Sequence, residues 1–254
     1  MNGSIIKVIA YLEKNGIDFK DTSHPLVKEY SNVKILDNPM LLQAFEHLLM
    51  ILVVDLEIIK KHDPTSYNYY LSKLCVNELS FWGERFEIYY YSKLIQHSKL
   101  KSLRRGKSGG EADFIGDYES SMICIETTTI NYSANSEMSN PISKILKVIN
   151  RKDKKTYANC NCCLVIDISN LLFYRKIINN FKTTISSVID TLESQFGAIL
   201  FFYSYHDSTK GNLHYISKAY TWLNISANPA LAKYISESTI EVDDGDTNIY
   251  FNRM

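Results

Sequence analysis

Apolar positions recur with a helical period in the N-terminal part of this chain and with a strand-like period further on. Residues 5–15 form a short amphipathic segment that stops at Gly16. Asp37-Asn38-Pro39 is a helix start, with Asn38 as N-cap and Pro39 at the first helical position. The helix predicted from Pro39 to about Lys61 places Leu41, Ala44, Phe45, Leu48, Leu52, Leu56 and Ile59 on one face. His62-Asp63-Pro64-Thr65 breaks it and marks an internal boundary, so a helical N-terminal region over 1–65 precedes a second domain over 66–254. That domain is expected to begin with a long, tyrosine-rich helix over 66–96, bearing Leu71, Leu74, Cys75, Trp82, Phe86, Tyr89 and Tyr90.

Beyond Gly110 the rhythm changes. Ala112 to Ile115 is apolar except for Asp113, Gly116-Asp117 has turn chemistry, and Met122 to Ile125 is a continuous apolar run, which predicts a hairpin. A polar, Ser- and Asn-rich link follows, and Pro141 starts a helix to about Tyr157 with the stripe Ile142, Ile145, Leu146 and Ile149. Leu164 to Ile168 has the composition of a strand buried on both faces. A helix over 171–196, a strand over 198–205, a hairpin of 212–217 with 219–225 and an acidic tail with Glu237, Glu241, Asp243, Asp244 and Asp246 complete the order. The expected fold class is α/β, with a mixed central sheet flanked by helices.

Composition narrows the function classes. A chain of 254 residues that is 45% hydrophobic can bury a sizeable core. Lys and Arg number 28, as do Asp and Glu, so any attraction to nucleic acid must come from local patches. Five cysteines spread over apolar segments, with no secretory leader pattern at residue 1, point to a reducing, cytoplasmic setting. The apolar stretch 48–59 is short and interrupted by Asp55 and Glu57, so no membrane partner is expected. Cys160, Cys162 and Cys163 lack a second ligand pair at zinc spacing and read as structural.

Asp113 and Glu126 carry the candidate chemistry. Each sits among apolar neighbours in a strand of the hairpin, and carboxylates so placed are rarely buried unless paired or bound to a metal. Two carboxylates converging from adjacent strands can share one divalent cation. On the helix before them, Glu84 and Glu87 lie at i and i+3 with no basic residue at i+4, a like-charge pair that a cation would relieve and that a solvated face would equally tolerate. Lys99, Lys101, Arg104, Arg105 and Lys107 form a basic segment that reads either as a holder of a phosphate backbone or as a solvated loop. Gly106-Lys107-Ser108 is not a phosphate loop, because Lys101 occupies the place of the required first glycine and a strand follows.

An Asp opening the second strand of a hairpin core, followed by an apolar strand that ends in Glu-x-Lys, resembles the PD-(D/E)XK, or restriction-endonuclease-like, nuclease superfamily. Asp113 and Glu126 are the matching residues, over roughly residues 66–205. The sequence departs from the pattern at Ala112, in place of Pro, and at Thr128, in place of the motif lysine. The resemblance implies a restriction-endonuclease-like fold and a Mg²⁺- or Mn²⁺-dependent endonuclease. In it Asp113, Glu126 and Glu87 hold the metal, and a lysine on the helix after the Glu strand replaces the missing one. Lys152, next on the stripe of Ile142, Ile145 and Ile149, is the candidate, with an ordinary surface lysine as the alternative. The implied partners are nucleic acid, DNA favoured, and a protein partner or a second copy, as in a partner-guided nuclease of a bacterial defence or mobile-element system. An inactive nuclease fold serving as an interaction scaffold is the main rival, and a hydrolase using His206 or a cysteine is a further one.

Overall fold

The computed structural model describes residues 2–75, 80–107, 109–130, 141–170, 186, 188–189, 192–207, 214–241 and 247–249. They form an α/β protein whose chain divides into two compact units, 1–96 and 97–254. The first contains α1 (Asn2–Lys14), α2 (Pro25–Ile35), α3 (Pro39–His62), α4 (Pro64–Leu74) and α5 (Phe81–His97). Three of these helices open on a proline whose predecessor caps the first turn. His24 Nδ1 accepts the Leu26 N–H at 3.2 Å, Asn38 Oδ1 accepts those of Met40 and Leu41 at 3.0 and 3.2 Å, and Asp63 Oδ1 accepts that of Ser66 at 3.0 Å. Proline suits this position because its missing N–H would have had no helical partner.

The helix expected over 66–96 is two helices, α4 and α5, and residues 76–79 between them lie outside the described set. α4 packs back against α3, and Tyr67 on α4 joins Tyr11 (3.1 Å) and Asn15 (3.2 Å) of the α1 end. The compact division therefore follows α5, whereas the sequence break lies at Asp63-Pro64. α2 has no counterpart in the sequence expectation. On α3 the buried face is Phe45, Leu49, Leu52, Leu56 and Ile59, while Leu41 is exposed and Leu48 half-buried.

The second unit contains β1 (Lys101–Arg105), β2 (Phe114–Tyr118), β3 (Ser121–Thr129), α6 (Pro141–Lys152), β4 (Cys162–Asp167), β5 (Ala198–Asp207), β6 (His214–Leu223), α7 (Pro229–Ser238), β7 (Thr239–Glu241) and β8 (Thr247–Ile249). The described strands form one mixed sheet in the order β1-β2-β3-β4-β5-β6-β8-β7. β1, β2 and β3 are an antiparallel meander, β3, β4 and β5 are parallel, and β6 returns antiparallel to β5. Parallel neighbours need a crossover, and α6 lies in the one from β3 to β4. Cys162, Leu164 and Ile166 of β4 face Ile145 and Ile149 of α6 in one core cluster. The alternate residues Cys163 and Val165 are just as buried, as a strand covered on both faces requires. α7 covers that second face, with Tyr234 against Tyr118, ring centroids 5.6 Å apart.

Several local expectations change. The hairpin turns at Glu119-Ser120, both in the left-handed region (φ 45° and 66°), not at Gly116-Asp117. Gly116 is a strand residue, and a Cβ there would lie 2.9 Å from the Leu100 Cβ, so its role is close packing. The hairpin expected over 212–225 is the single strand β6. Residues 131–140 and most of 171–191, where a link and a helix were expected, lie outside the described residues, as do 242–246 of the acidic tail. Glu237 belongs to α7 and accepts hydrogen bonds from Lys99 and Tyr118, each at 2.7 Å.

Asp55 lies on the buried face of α3, only 1% exposed, and its Oδ1 finds no hydrogen-bond partner among the described residues. Burial pushes its pKa up to about 7, with the Lys93 charge, the Ser92 hydroxyl and the Arg85 charge pulling the other way. A carboxyl raised in the folded state holds its proton more tightly there than in the unfolded chain. Its contribution to stability is therefore greatest at low pH and falls as pH rises towards 7. Asp55→Asn is expected to stabilise the protein by about 2 kcal/mol near pH 8 and by much less near pH 5, as read by denaturant unfolding at both values.

Candidate functional site

The site forms where the β2–β3 ladder ends. The last pair is Phe114 with Ile125, whereas β3 continues to Thr129. The N–H and C=O of one strand residue point to the same edge, so at Thr127 both face the place where β2 has stopped. Side chains take them instead. The Thr127 N–H and Oγ1–H donate to Asp113 Oδ2, each at 2.7 Å, and the Thr127 carbonyl accepts from Lys152 Nζ at 3.2 Å. Lys152 also donates to Glu126 Oε1. Asp113, Glu126 and Lys152 are thus gathered in one notch, with α6 supplying the lysine.

Backbone constraints hold Asp113 in place. Its carbonyl accepts the Gly106 N–H at 2.7 Å. A Cβ on Gly106 would lie 1.9 Å from the Ala112 carbonyl oxygen, so no other residue fits this approach. Gly106 therefore positions a carboxylate from the adjoining chain. Burial, and then the charge of Glu126, push Asp113 up to about 6, while the Thr127 hydrogen bonds and the Lys152 charge oppose them.

Glu126 is 3% exposed, and its Oε2 has no hydrogen-bond partner among the described residues. The Glu126 and Lys152 side chains are 4% and 15% exposed. Lys152 therefore neutralises a carboxylate that water scarcely reaches. The Tyr157 hydroxyl stands beside Glu126; burial and the two carboxylates push its pKa upward, so it stays a proton donor. Neither Tyr157 nor Thr127 was singled out from the sequence. Thr127 carried a signal, since it occupies the x of Glu-x-Thr, whereas Tyr157 lies beyond α6 and carried none.

The other candidates are placed differently. Glu87 belongs to the helical unit, where its Oε1 accepts a 2.7 Å hydrogen bond from Tyr70. Thr128, at the motif lysine position, is half-buried on β3. The basic segment is an edge strand and the turn after it, and part of its charge is engaged internally. Arg104 makes a two-pronged contact with Glu111 (2.8 and 2.9 Å), and Lys99 pairs with Glu237 at 2.7 Å. The Arg104 hydrogen bonds hold Glu111 well below the usual carboxylate range, and Glu111 also accepts the Lys107 N–H at 2.8 Å. The Lys101 and Lys107 side chains are exposed and Arg105 is half-buried. His206, near the end of β5, contacts the Tyr215 ring, centroids 5.0 Å apart.

Among the described residues no group of three or more His, Cys, Asp or Glu side chains is placed to hold a metal ion. The notch offers two carboxylates against one ammonium, and among the described residues the buried Glu126 Oε2 has no hydrogen-bond partner. Mg²⁺ is commonly held by one or two carboxylates together with water and substrate phosphates, so this donor set fits such an ion. No protein-family model matches the chain, and neither curated proteins nor solved structures include a significant match to it.

Removing one partner of a buried ion pair strands the other. Lys152→Met is expected to destabilise the protein by about 3 kcal/mol, while Lys147→Met, on the same helix, costs little. Adding Glu126→Gln to Lys152→Met should restore much of the loss, which a double-mutant cycle by chemical denaturation measures.

Proposed function

We propose that the chain is a metal-dependent nuclease of the PD-(D/E)XK, or restriction-endonuclease-like, kind, hydrolysing phosphodiester bonds with DNA favoured over RNA. The observation that carries the reading is the Lys152 ammonium on Glu126, beside Asp113, which supplies the cation that Thr128 lacks. Asp113 stands just before the second strand, where the resemblance had it opening that strand, and Glu126 lies on the third; this order supports the reading. Asp113 and Glu126 would hold Mg²⁺ or Mn²⁺, which supplies an acidified water and a polarised phosphoryl oxygen. Lys152 would stabilise charge developing on the phosphate, and Tyr157 would donate a proton or a hydrogen bond at the same place. Thr127 keeps the Asp113 carboxylate turned towards the notch. The reading extends to a partner-guided subunit of a bacterial defence or mobile-element system, because the whole chain carries zero formal net charge and part of its basic segment is engaged internally.

A second reading is a nuclease fold without catalysis that serves as an interaction subunit. It is favoured by Thr128 and by the exposed apolar side chains Ile35, Leu36 and Met40 at the α2–α3 junction, since apolar surface of that kind marks contact sites.

The two readings part on cleavage. Plasmid DNA and RNA incubated with Mg²⁺ or Mn²⁺, with and without candidate partners, should be cut, and EDTA should stop the cutting. Asp113→Ala and Glu126→Ala should abolish it, and Lys152→Ala should slow it by about 10²–10³-fold. Wild type and Asp113→Ala behaving alike in every such assay would leave the scaffold reading standing.

Asp113 also sets a pH dependence. Its raised pKa keeps it protonated, and a poor ligand, below about 6. Mn²⁺ affinity by calorimetry should therefore rise as pH passes upward through that value in wild type, and Asp113→Asn should lose the dependence.

A further inference from the structure

Cys124 and Cys162 are register partners on the parallel strands β3 and β4. Both lie in the core cluster beneath α6, and their thiols face each other. Neighbouring strands run about 4.8 Å apart, inside the roughly 4.4–6.8 Å range of Cα separations that a disulfide bridges. Both thiols are free, as are those of Cys75, Cys160 and Cys163. Cys163 alternates to the other side of β4, Cys75 lies in the helical unit, and Cys160 precedes the strand. Only the 124–162 pair joins two thiols across a described strand pairing.

We propose that Cys124 and Cys162 are a reversible thiol–disulfide site that takes a peroxide as its oxidant. Cys124 is the thiol the oxidant reaches, 5% exposed against 0% for Cys162. Its sulfur attacks one peroxide oxygen, the O–O bond breaks, and a water leaves, so that Cys124 carries a sulfenic acid. The Cys162 sulfur then attacks the Cys124 sulfur. The S–O bond breaks, the S–S bond forms, and the second water leaves with the remaining thiol proton. Two thiols and one hydrogen peroxide give one disulfide and two waters; the sulfurs lose two electrons and the peroxide gains them. A small dithiol reverses the step.

The state of this pair reaches the notch by two routes. Cys124 lies two residues before Glu126 on the same face of β3. The Cys162 S–H donates to the Tyr157 carbonyl at 3.0 Å, and oxidation removes that hydrogen, releasing the segment that sets Tyr157 beside Glu126. Redox control of cleavage rests on the nuclease reading; the thiol chemistry does not.

Peptide mapping by mass spectrometry tests the site. The full-length protein is treated with hydrogen peroxide, unfolded in an alkylating agent and digested. The expected result is a cross-linked peptide joining Cys124 to Cys162 that dithiothreitol abolishes, Cys163→Ser retains, and Cys124→Ala or Cys162→Ala lacks. Alkylation of both residues after peroxide, with oxidation confined to Cys75 and Cys160, overturns the proposal. So does Cys124 passing to sulfinic acid without a cross-link. The wild-type map decides by itself if a variant fails to fold. Because it reads sulfur and not cleavage, a protein that cuts no nucleic acid tests the site equally well.

Discussion

A carboxylate placed in the interior must be neutralised, protonated or offered a cation, and Glu126 imposes that requirement on its surroundings. It sits on the third of the eight strands in the sheet order, just past the end of the pairing with β2, and is only 3% exposed, so that water scarcely reaches it. The strand itself offers no help, because Thr128 is a neutral neighbour. The charge arrives from α6, whose apolar stripe seats Ile145 and Ile149 against the sheet and so carries Lys152 to the strand. Packing of that helix and electrostatics of the sheet are therefore one problem with one solution. The early end of β2 belongs to it too, since an unbroken ladder would occupy the Thr127 groups that Asp113 and Lys152 use.

How much of this was legible in the sequence depended on whether the signal was local. Asn38-Pro39 declares a helix start by itself, and α3 begins there. His24-Pro25 is built the same way, but histidine is an uncommon cap. Its second nitrogen, 2.7 Å from the Leu74 carbonyl, gives it a tertiary purpose that no window around residue 24 contains. Gly116 misled because a glycine beside an aspartate has turn chemistry, while its actual role depends on Leu100, which lies just before β1. The basic run likewise has partners that lie outside it, since Glu111 and Glu237 draw Arg104 and Lys99 into ion pairs within the unit.

The candidate site divides along the same line. Asp113 and Glu126 stood out because a charge inside an apolar run is visible in the run. Lys152 was reachable because it continues a stripe of fixed period. Tyr157 was not, because its relation to Glu126 depends on how the chain turns after α6, and no periodicity crosses a turn. Gly106 belongs to the same class: its value lies in the Ala112 carbonyl pressed against it and in the Asp113 carbonyl it holds.

The origin of the lysine on a helix rather than on the strand has a consequence for assembly. The hairpin of β2 and β3 is local in sequence and can pair early, but Lys152 reaches Glu126 only after a crossover has been threaded and α6 has docked. Until then the chain carries two close carboxylates with no internal counter-charge, which repel each other and resist burial. Completion of the notch therefore waits on the docking of α6 and not on the pairing of the hairpin. The arrangement that brings anion, cation and phenol together is a property of the finished tertiary structure, and local opening of α6 is enough to dismantle it.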